Sequence, residues 1–330
     1  MNISLSELVL RIRNHMGLVR KQPIEEVFSR LVLHGPPGPQ LPNYGDDAAV
    51  IPWGEGFLLL AADGIMTGLL KNEPYAAGKA SVMVTVNDIY SMGGRPIGLV
   101  NVLASGDDAQ RAQIVEGIRK GCEKLRVPML GGHLHPDAPL EVPSLAVAIL
   151  GSARKVIRSH LSEAGDDIVF AADLKGRKGC HSAVSWDANS GKSSEELLSR
   201  LEAMPLIADR QWAHAAKDVS NAGLLGTVSI MMESAGKGAI VDLPSIPCPG
   251  VVDLTDWVLS FLSFGFTLSV PPERSGDVLR LFEERDVQAA VIGKVVHGTT
   301  VILNDEEFSR TLFDFQKDKI TGIVYRSVGE

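Results

Sequence analysis

The sequence predicts an α+β protein with two domains of similar size. Its 330 residues are enough for two hydrophobic cores, and 45% hydrophobic with 22% charged residues is the composition of a globular protein. Segments typical of buried strands and of amphipathic helices alternate irregularly in both halves, which indicates α+β domains. A polar segment at residues 152–166 ends the first half and places the domain boundary near residue 155.

The first half divides into a lead-in, residues 1–40, and a domain, residues 41–155. Apolar residues at helical spacing predict an amphipathic N-terminal helix: Leu5, Leu8, Val9 and Ile12. The Pro/Gly-dense residues 34–45 predict a turn-rich connector that could fold over a ligand. Apolar runs predict strands at 57–63, 97–104, 127–130 and 143–150, and helical periodicity predicts a helix at 107–125.

Residues 76–96 fit two secondary structures. Part of the segment alternates as a strand would, but its length, the Gly93-Gly94 pair and the following Pro96 favour a helix with a glycine C-cap. On such a helix Asn87 and Asp88 lie side by side near the C-terminal half, within reach of a bound metal. The second domain, residues 156–330, is predicted to contain strands at 167–173, 239–243, 266–270 and 288–295, with helices at 193–204, after Asp218, at 251–262 and at 272–285.

Charge and targeting signals narrow the possible partners and compartment. A net charge of −8 provides no broad basic field for nucleic acid or an anionic membrane, so neither is expected as a partner. With no signal peptide and no apolar run of about 18 residues, the protein is expected to be cytoplasmic. The cysteines, Cys122, Cys180 and Cys248, are far apart without a C-x-x-C pair, which indicates reduced thiols and no zinc site.

Aspartates recur where apolar elements meet glycine or other small residues. They are the adjacent pair Asp46 and Asp47, then Asp63, Asp88 and Asp218. Each one alone is explained as a turn former or helix cap. Together they suggest a shared Mg²⁺ site, because Mg²⁺ prefers carboxylate oxygens and commonly bridges them to substrate phosphates.

A further candidate is the segment MLGGHLHPDAP, where a predicted strand runs into Gly131 and Gly132. Backbone N–H groups at such glycines can cradle phosphate oxygens, although a lone GGH is weak evidence. His133 and His135 have the spacing of possible ligands, but loop histidines more often serve only as hydrogen-bonding residues.

The ordered set GDDAAV, Asp63 after a strand, NDIYSMGGRP, LGGHLHPDAP and KDVSNAGLLG resembles an ATP-binding superfamily. Its members are aminoimidazole ribonucleotide synthetase, thiamine-monophosphate kinase, selenophosphate synthetase and the hydrogenase maturation carbamoyl dehydratase. The sequence is most similar locally to selenophosphate synthetase, and the chain is identified as an aminoimidazole ribonucleotide synthetase-related protein.

The resemblance implies a two-domain α+β protomer that forms a homodimer, with strands of both N-terminal domains building a β-barrel. It implies ATP and Mg²⁺ as cofactors and phosphoryl transfer to a heteroatom of a small acceptor. By the same resemblance Asp46 and Asp47 (at least one of them), Asp88 and Asp218 match metal ligands. Positions near the nucleotide are Asp63, Asn87, Gly131, Gly132, His133 and Ser220.

Departures from these relatives leave other functions open. Residues 1–45 lack the cysteine of selenophosphate synthetases, and His133 and Asn221 stand where thiamine-monophosphate kinases have aspartate. The C-terminal YRSVGE lacks the cysteine of the carbamoyl dehydratase. One alternative is therefore a nucleotide-binding sensor or assembly partner without turnover. A second is an activity like that of thiamine-monophosphate kinase or selenophosphate synthetase.

Overall fold

The structure is a computed structural model that describes residues 3–31, 45–179 and 184–325. Residues 34–44 of the predicted connector and Cys180 lie outside these ranges. The helices are α1 (Leu5–Arg13), α2 (Met16–Val19), α3 (Ile24–Leu31), α4 (Thr67–Asn72), α5 (Pro74–Ser91), α6 (Asp108–Leu125), α7 (Ser194–Leu201), α8 (Ala203–Arg210), α9 (Gly223–Ala235), α10 (Leu254–Leu259) and α11 (Pro272–Glu283).

The strands of the first half are β1 (Ala49–Trp53), β2 (Gly56–Gly64), β3 (Arg95–Ala104), β4 (Met129–His135) and β5 (Ser144–Ala153). Those of the second half are β6 (Asp167–Ala172), β7 (Arg177–Lys178), β8 (Ser185–Asp187), β9 (Ala215–Asp218), β10 (Gly238–Asp242), β11 (Phe261–Leu262), β12 (Gly265–Val270), β13 (Gln288–Val296), β14 (Thr300–Asn304) and β15 (Ser309–Asp314). Each strand and helix predicted from periodicity has a counterpart at or near its expected position.

The ambiguous segment is helical up to Ser91, where α5 ends, as its glycine stop predicted, and Arg95 and Pro96 already belong to β3. Gly93 has a φ of +79°, which a non-glycine residue rarely adopts. The N–H of Gly94 donates to the carbonyl of Ile89 and closes the helix. The chain then enters β3 directly, so the position of Asp88 near the helix end is fixed by this cap.

The described chain forms two compact units, which do not follow a single cut in the sequence. The five-strand unit is Asp47–Val156 with Gly176–Asp209, and the seven-strand unit is Met1–Asp46, Ile157–Lys175 and Arg210–Glu330. The boundary expected near residue 155 and the lead-in of residues 1–40 stay predictions.

In the five-strand unit, the described strands order as β1-β2-β5-β3-β4. All neighbours are antiparallel except β3 and β4, which are parallel and joined through α6. Helix α5 packs on β5 and β2 and against α6, so it covers one face of the sheet. Alternation along β2 places Leu59 and Ala61 on this covered face and Leu60 on the opposite, exposed face.

In the seven-strand unit, the described strands order as β15-β14-β10-β13-β6-β12-β9. Every residue of β6 and β12 is buried, as expected for central strands covered on both faces. Helix α9 packs on β9, β10 and β12, and α11 packs on β13 and β6. Within residues 3–31, 45–179 and 184–325, no helix has both the length and the hydropathy needed to cross a bilayer.

Candidate functional site

The five-strand unit brings two of the predicted aspartates together. Asp47 lies just before β1, and Asp88 lies in the last turn of α5. A carboxylate oxygen of Asp47 and one of Asp88 lie within 4.8 Å of each other. The C-terminal end of a helix adds partial negative charge, so this pair favours a cation. Oxygen donors of this kind suit Mg²⁺ or Mn²⁺ better than zinc.

Ser91 connects the two aspartates and was not identified from the sequence. Its hydroxyl donates to Asp47 Oδ2 at 2.6 Å, and its oxygen lies 2.9 Å from the carbonyl oxygen of Asp88. Ser91 is three residues after Asp88 in α5, and residues three apart lie on one face of a helix. The sequence spacing could have shown that Ser91 lies beside Asp88. The hydrogen bond from Ser91 then holds Asp47 next to Asp88.

Asp46 has a different environment, within the seven-strand unit. Its side chain is 0% exposed and forms an ion pair with Arg158, which is 5% exposed. The backbone N–H and the hydroxyl of Ser159 donate to Asp46 Oδ1 at 2.8 and 2.7 Å, and His160 Nδ1 lies 3.5 Å from the same oxygen. Both carboxylate oxygens are therefore engaged by the protein itself.

The ionisation of Asp46 reflects these contacts. Burial alone would raise its pKa, but the hydrogen bond with His160, the charges of Arg158 and His160 and the Ser159 hydrogen bond outweigh burial. The pKa of Asp46 therefore lies below its ordinary value of 3.8. Asp46 is therefore a charged anchor with a fully buried side chain.

Asp218 and Ser220 lie at the end of β9 in the seven-strand unit. Asp218 is buried and pairs in register with Phe266 of β12. The chain then passes through Ser220 and Asn221 into α9, which begins at Gly223. The polar residues of this segment thus lie between a strand end and a helix start, where a rigid scaffold presents ligating groups.

Asp63 lies in the same cross-strand row as Asn101, a residue that was not identified from the sequence. In register across the sheet, Asp63 of β2 pairs with Val147 of β5, Val147 pairs with Asn101 of β3, and Asn101 pairs with Gly132 of β4. Side chains in register lie on the same face of a sheet. This face is the one that α5 covers, and α5 also carries the buried Asn87.

The glycine pair in β4 requires a correction. Gly131 and Gly132 were expected to follow a strand and to free backbone N–H groups for phosphate, but they lie within β4, paired with Val100 and Asn101. A Cβ on Gly132 would lie 1.9 Å from Asn101 Oδ1 and 2.6 Å from the Asn101 carbonyl oxygen. Close approach of β3 therefore explains why position 132 is a glycine, and a role of Gly131 and Gly132 near a nucleotide stays a prediction.

His133 lies on the opposite sheet face from Asp63. It pairs with Val102, which is 47% exposed, and His133 is itself exposed. The structure thus brings together Asp47 and Asp88 and aligns Asp63 with Gly132. It places His133 on the exposed side of the sheet.

Comparisons with known proteins agree with this fold. The family description "AIR synthase related protein, N-terminal domain" matches residues 45–153, and "AIR synthase related protein, C-terminal domain" matches residues 163–306. An uncharacterized protein of Synechocystis sp. is 34% identical over 97% of this chain and 99% of its own length. One from Methanocaldococcus jannaschii is 35% identical over 97% of this chain and 100% of its own length.

A solved structure of T. maritima PurL complexed with ATP has a similar fold, with a TM-score of 0.77 and 17% identity. The similarity covers 93% of this chain and 51% of the PurL chain, so this protein spans about half of that relative. Both halves match the family descriptions, and identity to the two relatives extends along almost the whole sequence. This chain therefore belongs to the AIR synthase-related family and has its two-domain α+β fold.

Proposed function

We propose that this protein binds ATP with Mg²⁺ and transfers a phosphoryl group to a heteroatom of a small-molecule acceptor. The observation that carries the proposal is the Asp47–Asp88 pair, whose oxygens lie within 4.8 Å in a chain of this family. The similar PurL structure holds ATP, which supports the choice of nucleotide.

The proposed roles of the aspartates follow from their surroundings. Asp47 and Asp88 hold the metal, and Ser91 orients Asp47. Both carboxylate oxygens of Asp46 are already engaged by Arg158 and its neighbours, so Asp46 serves as a structural anchor and not as a metal ligand. The resemblance assigns Asp218 a metal-binding role, and we include it in the proposal on that ground.

Phosphoryl transfer requires positioning and charge stabilisation more than covalent chemistry by the protein. Bound Mg²⁺ would neutralise charge on the phosphate oxygens. The remaining residues matched by the resemblance are assigned to the nucleotide: Asp63, Asn87, Gly131, Gly132, His133 and Ser220. Within this group, Asp63 lies near the end of β2, on the sheet face that α5 covers.

Replacing Asp88 with asparagine is expected to abolish ATP turnover while the fold is kept. The loss of a ligand should weaken apparent Mg²⁺ affinity by at least the roughly 10–100-fold that loss of an outer-sphere partner costs. Calorimetry with Mg²⁺ and a non-hydrolysable ATP analogue measures binding, and ADP release across a metabolite pool measures turnover. Asp108→Asn is the control, because the Asp108 side chain is 90% exposed on α6. Equal Mg²⁺ affinity in the two variants would contradict the assignment.

The alternative of a nucleotide sensor without turnover rests on Asn221, which replaces an aspartate found in thiamine-monophosphate kinases. The same calorimetry separates the two functions. Tight Mg²⁺·nucleotide binding without ADP release for any metabolite would favour the sensor. Release that depends on thiamine monophosphate or selenide would instead favour the kinase-like or selenophosphate synthetase-like alternative.

We further propose that the exposed face of the five-strand sheet pairs with a second copy, in the barrel that the resemblance implies. This face presents exposed aliphatic side chains from β2 and β3, the two strands that flank β5, including Leu60, Val100 and Val102. Apolar surface of this kind is typical of interfaces. Light scattering is expected to give twice the mass of one chain.

Val102→Glu is expected to shift the protein to a monomer, because a charge buried without a partner costs several kcal/mol. Val115→Glu is the matched control: Val115 is 50% exposed, like Val102 at 47%, but lies on α6. If the Val102 variant keeps the mass of the unmodified protein, this face is not the interface.

A further inference from the structure

We propose that a cavity beside the N-terminal helices binds a small oxyanion, a phosphate monoester or a polycarboxylate. The cavity has a volume of about 240 Å³ and is lined by residues between 13 and 22 and between 313 and 320, all within the seven-strand unit. Ligand pockets commonly measure about 300–1,000 Å³, so this one suits a ligand smaller than a nucleotide. The site is separate from the predicted metal ligands and goes beyond the proposed function.

The lining carries more positive than negative charge. It contains three cationic residues, Arg13, Lys317 and Lys319, and one acidic residue, Asp318. The whole chain has a net charge of −8, so this positive excess is local. Cationic groups gathered in a concave site attract anions.

An ion pair between Arg13 and Asp318 forms a fixed wall of the cavity. Arg13 donates to both carboxylate oxygens of Asp318 at 2.9 and 2.6 Å, and to the Leu312 carbonyl oxygen at 2.9 Å. Asp318 also accepts the Asp314 N–H at 2.8 Å, and the guanidinium lies over the Phe313 ring. Among the described residues these bonds engage three of the five N–H donors of the guanidinium, so two are left for a ligand.

Lys317 and Lys319 provide the cations that can adjust to a ligand. Lys317 Nζ lies 3.2 Å from a carboxylate oxygen of Asp314, and Lys319 pairs with Glu25; the two lysine side chains are 80% and 48% exposed. Exposed ion pairs of this kind contribute little to stability, so they yield readily to another anion. An ammonium group also has three N–H donors, so each lysine can bind a ligand oxygen while it keeps its carboxylate partner.

Apolar side chains contribute little to the surface that a ligand would meet. Leu18, Phe313 and Ile320 line the cavity but are only 3%, 5% and 2% exposed. The ligand therefore meets mainly the cationic groups and the amide of Gln22, which can donate to and accept from ligand hydroxyls. This lining favours an oxygen-rich anion over one with a large apolar group.

The walls of the cavity come from segments near the two ends of the described chain, and both segments support α9. A Cβ on Gly17 would lie 1.9 Å from the Asn221 carbonyl oxygen, so α2 packs directly on the loop between β9 and α9. The other wall continues into residues 320–322, which Glu233 of α9 holds. A bound anion would connect the two segments and should slow their hydrogen exchange.

The test is calorimetry on the whole chain in dilute Tris buffer, without divalent metal or nucleotide. The probes are glycerol 3-phosphate, citrate and, as the uncharged comparison, glycerol. Lys317→Gln is expected to weaken anion binding about 10-fold, the low end for loss of a charge-assisted hydrogen bond. Lys120→Gln is the matched control, because Lys120 Nζ also lies 3.2 Å from a carboxylate three residues away but on α6 in the other unit. This control is expected to bind like the unmodified protein.

The outcomes separate the two ligand classes and test the location. Binding of glycerol 3-phosphate alone would assign the cavity to phosphate monoesters, and binding of citrate alone would assign it to polycarboxylates. Slower hydrogen exchange with bound anion is expected in residues 13–22 and 313–320. Asp88→Asn is expected to bind the anion normally, so failure of the Mg²⁺·ATP proposal would not affect this one.

Three results would overturn the proposal. The first is that neither anion binds the unmodified protein, and the second is that glycerol binds as tightly as the anions. The third is that Lys317→Gln and Lys120→Gln bind the anion with equal affinity, which would place any bound anion outside this cavity.

Discussion

Replacing Asp46 with asparagine is expected to lower the free energy of unfolding by about 3–5 kcal/mol, the usual cost of removing one member of a buried ion pair. The reason is the number of donors that converge on Asp46: Arg158, the N–H and hydroxyl of Ser159, and His160. An asparagine keeps one acceptor oxygen, but its NH₂ group would face one of these donors. Urea unfolding followed by circular dichroism, in metal-free buffer, measures the loss.

Asp47 provides a matched control, because its replacement is not expected to lower the free energy of unfolding. Asp47→Asn removes one of two carboxylates that lie within 4.8 Å of each other, so it relieves repulsion in the absence of metal. Its unfolding free energy should equal or exceed that of the unmodified protein. If the Asp46 and Asp47 variants lose equal stability, the distinction between anchor and metal ligand is wrong.

The pH dependence follows from the lowered pKa of Asp46. A carboxyl group with a depressed folded-state pKa contributes its stability above the unfolded pKa and loses it as pH falls through the folded value. The ordinary value is 3.8 and the folded value is lower, so the contribution is complete above pH 3.8 and declines below it. The stability difference between the unmodified protein and Asp46→Asn should therefore narrow under acid conditions. If the difference in unfolding free energy between the two proteins stays constant on acidification, the charged state assigned to Asp46 is wrong.

This pair of aspartates shows how far sequence reasoning extends. The motif located both carboxylates at a strand entrance, but it could not say which one is held by the protein's own donors. The answer depends on Arg158 and Ser159, which lie 112 and 113 positions further along the chain. By contrast, the spacing of Ser91 and Asp88 is local to α5 and was accessible from the sequence, whereas the hydrogen bond from Ser91 to Asp47 joins residues 44 positions apart and was not.

For Gly131 and Gly132, the local sequence pattern predicted the wrong backbone environment, because the two glycines lie within a strand. Two glycines after an apolar run favour a turn, yet pairing with β3 extends the strand through them to His135. The decisive contact is the Asn101 side chain over Gly132, which no local pattern encodes. Register also decides that His133 and Asp63 lie on opposite faces, because a shift of one residue would exchange the faces.

Glu233 is the second residue whose replacement should have a large effect, and its role is structural. It is 3% exposed in α9, and its carboxylate accepts hydrogen bonds from the C-terminal segment, residues 320–322. The donors are the N–H groups of Ile320 and Thr321 at 2.8 Å each, the Thr321 hydroxyl at 2.6 Å and the Gly322 N–H at 3.2 Å. One buried carboxylate thus holds the segment against the helix that follows Asp218.

Glu233→Gln is expected to lower the unfolding free energy by about 2–5 kcal/mol, because the amide NH₂ replaces one acceptor oxygen and leaves buried donors unsatisfied at about 1–3 kcal/mol each. Hydrogen exchange should show faster exchange at the amides of Ile320, Thr321 and Gly322. Thr321→Val leaves the Glu233 carboxylate intact, removes the hydroxyl that donates to it and accepts the Ile323 N–H, and should cost about 1 kcal/mol. Slow exchange at all three amides in the glutamine variant would mean that the segment is held by other contacts. A larger loss in Thr321→Val than in Glu233→Gln would place the anchor at the threonine, whose Oγ1 also accepts the Ile323 N–H at 3.1 Å.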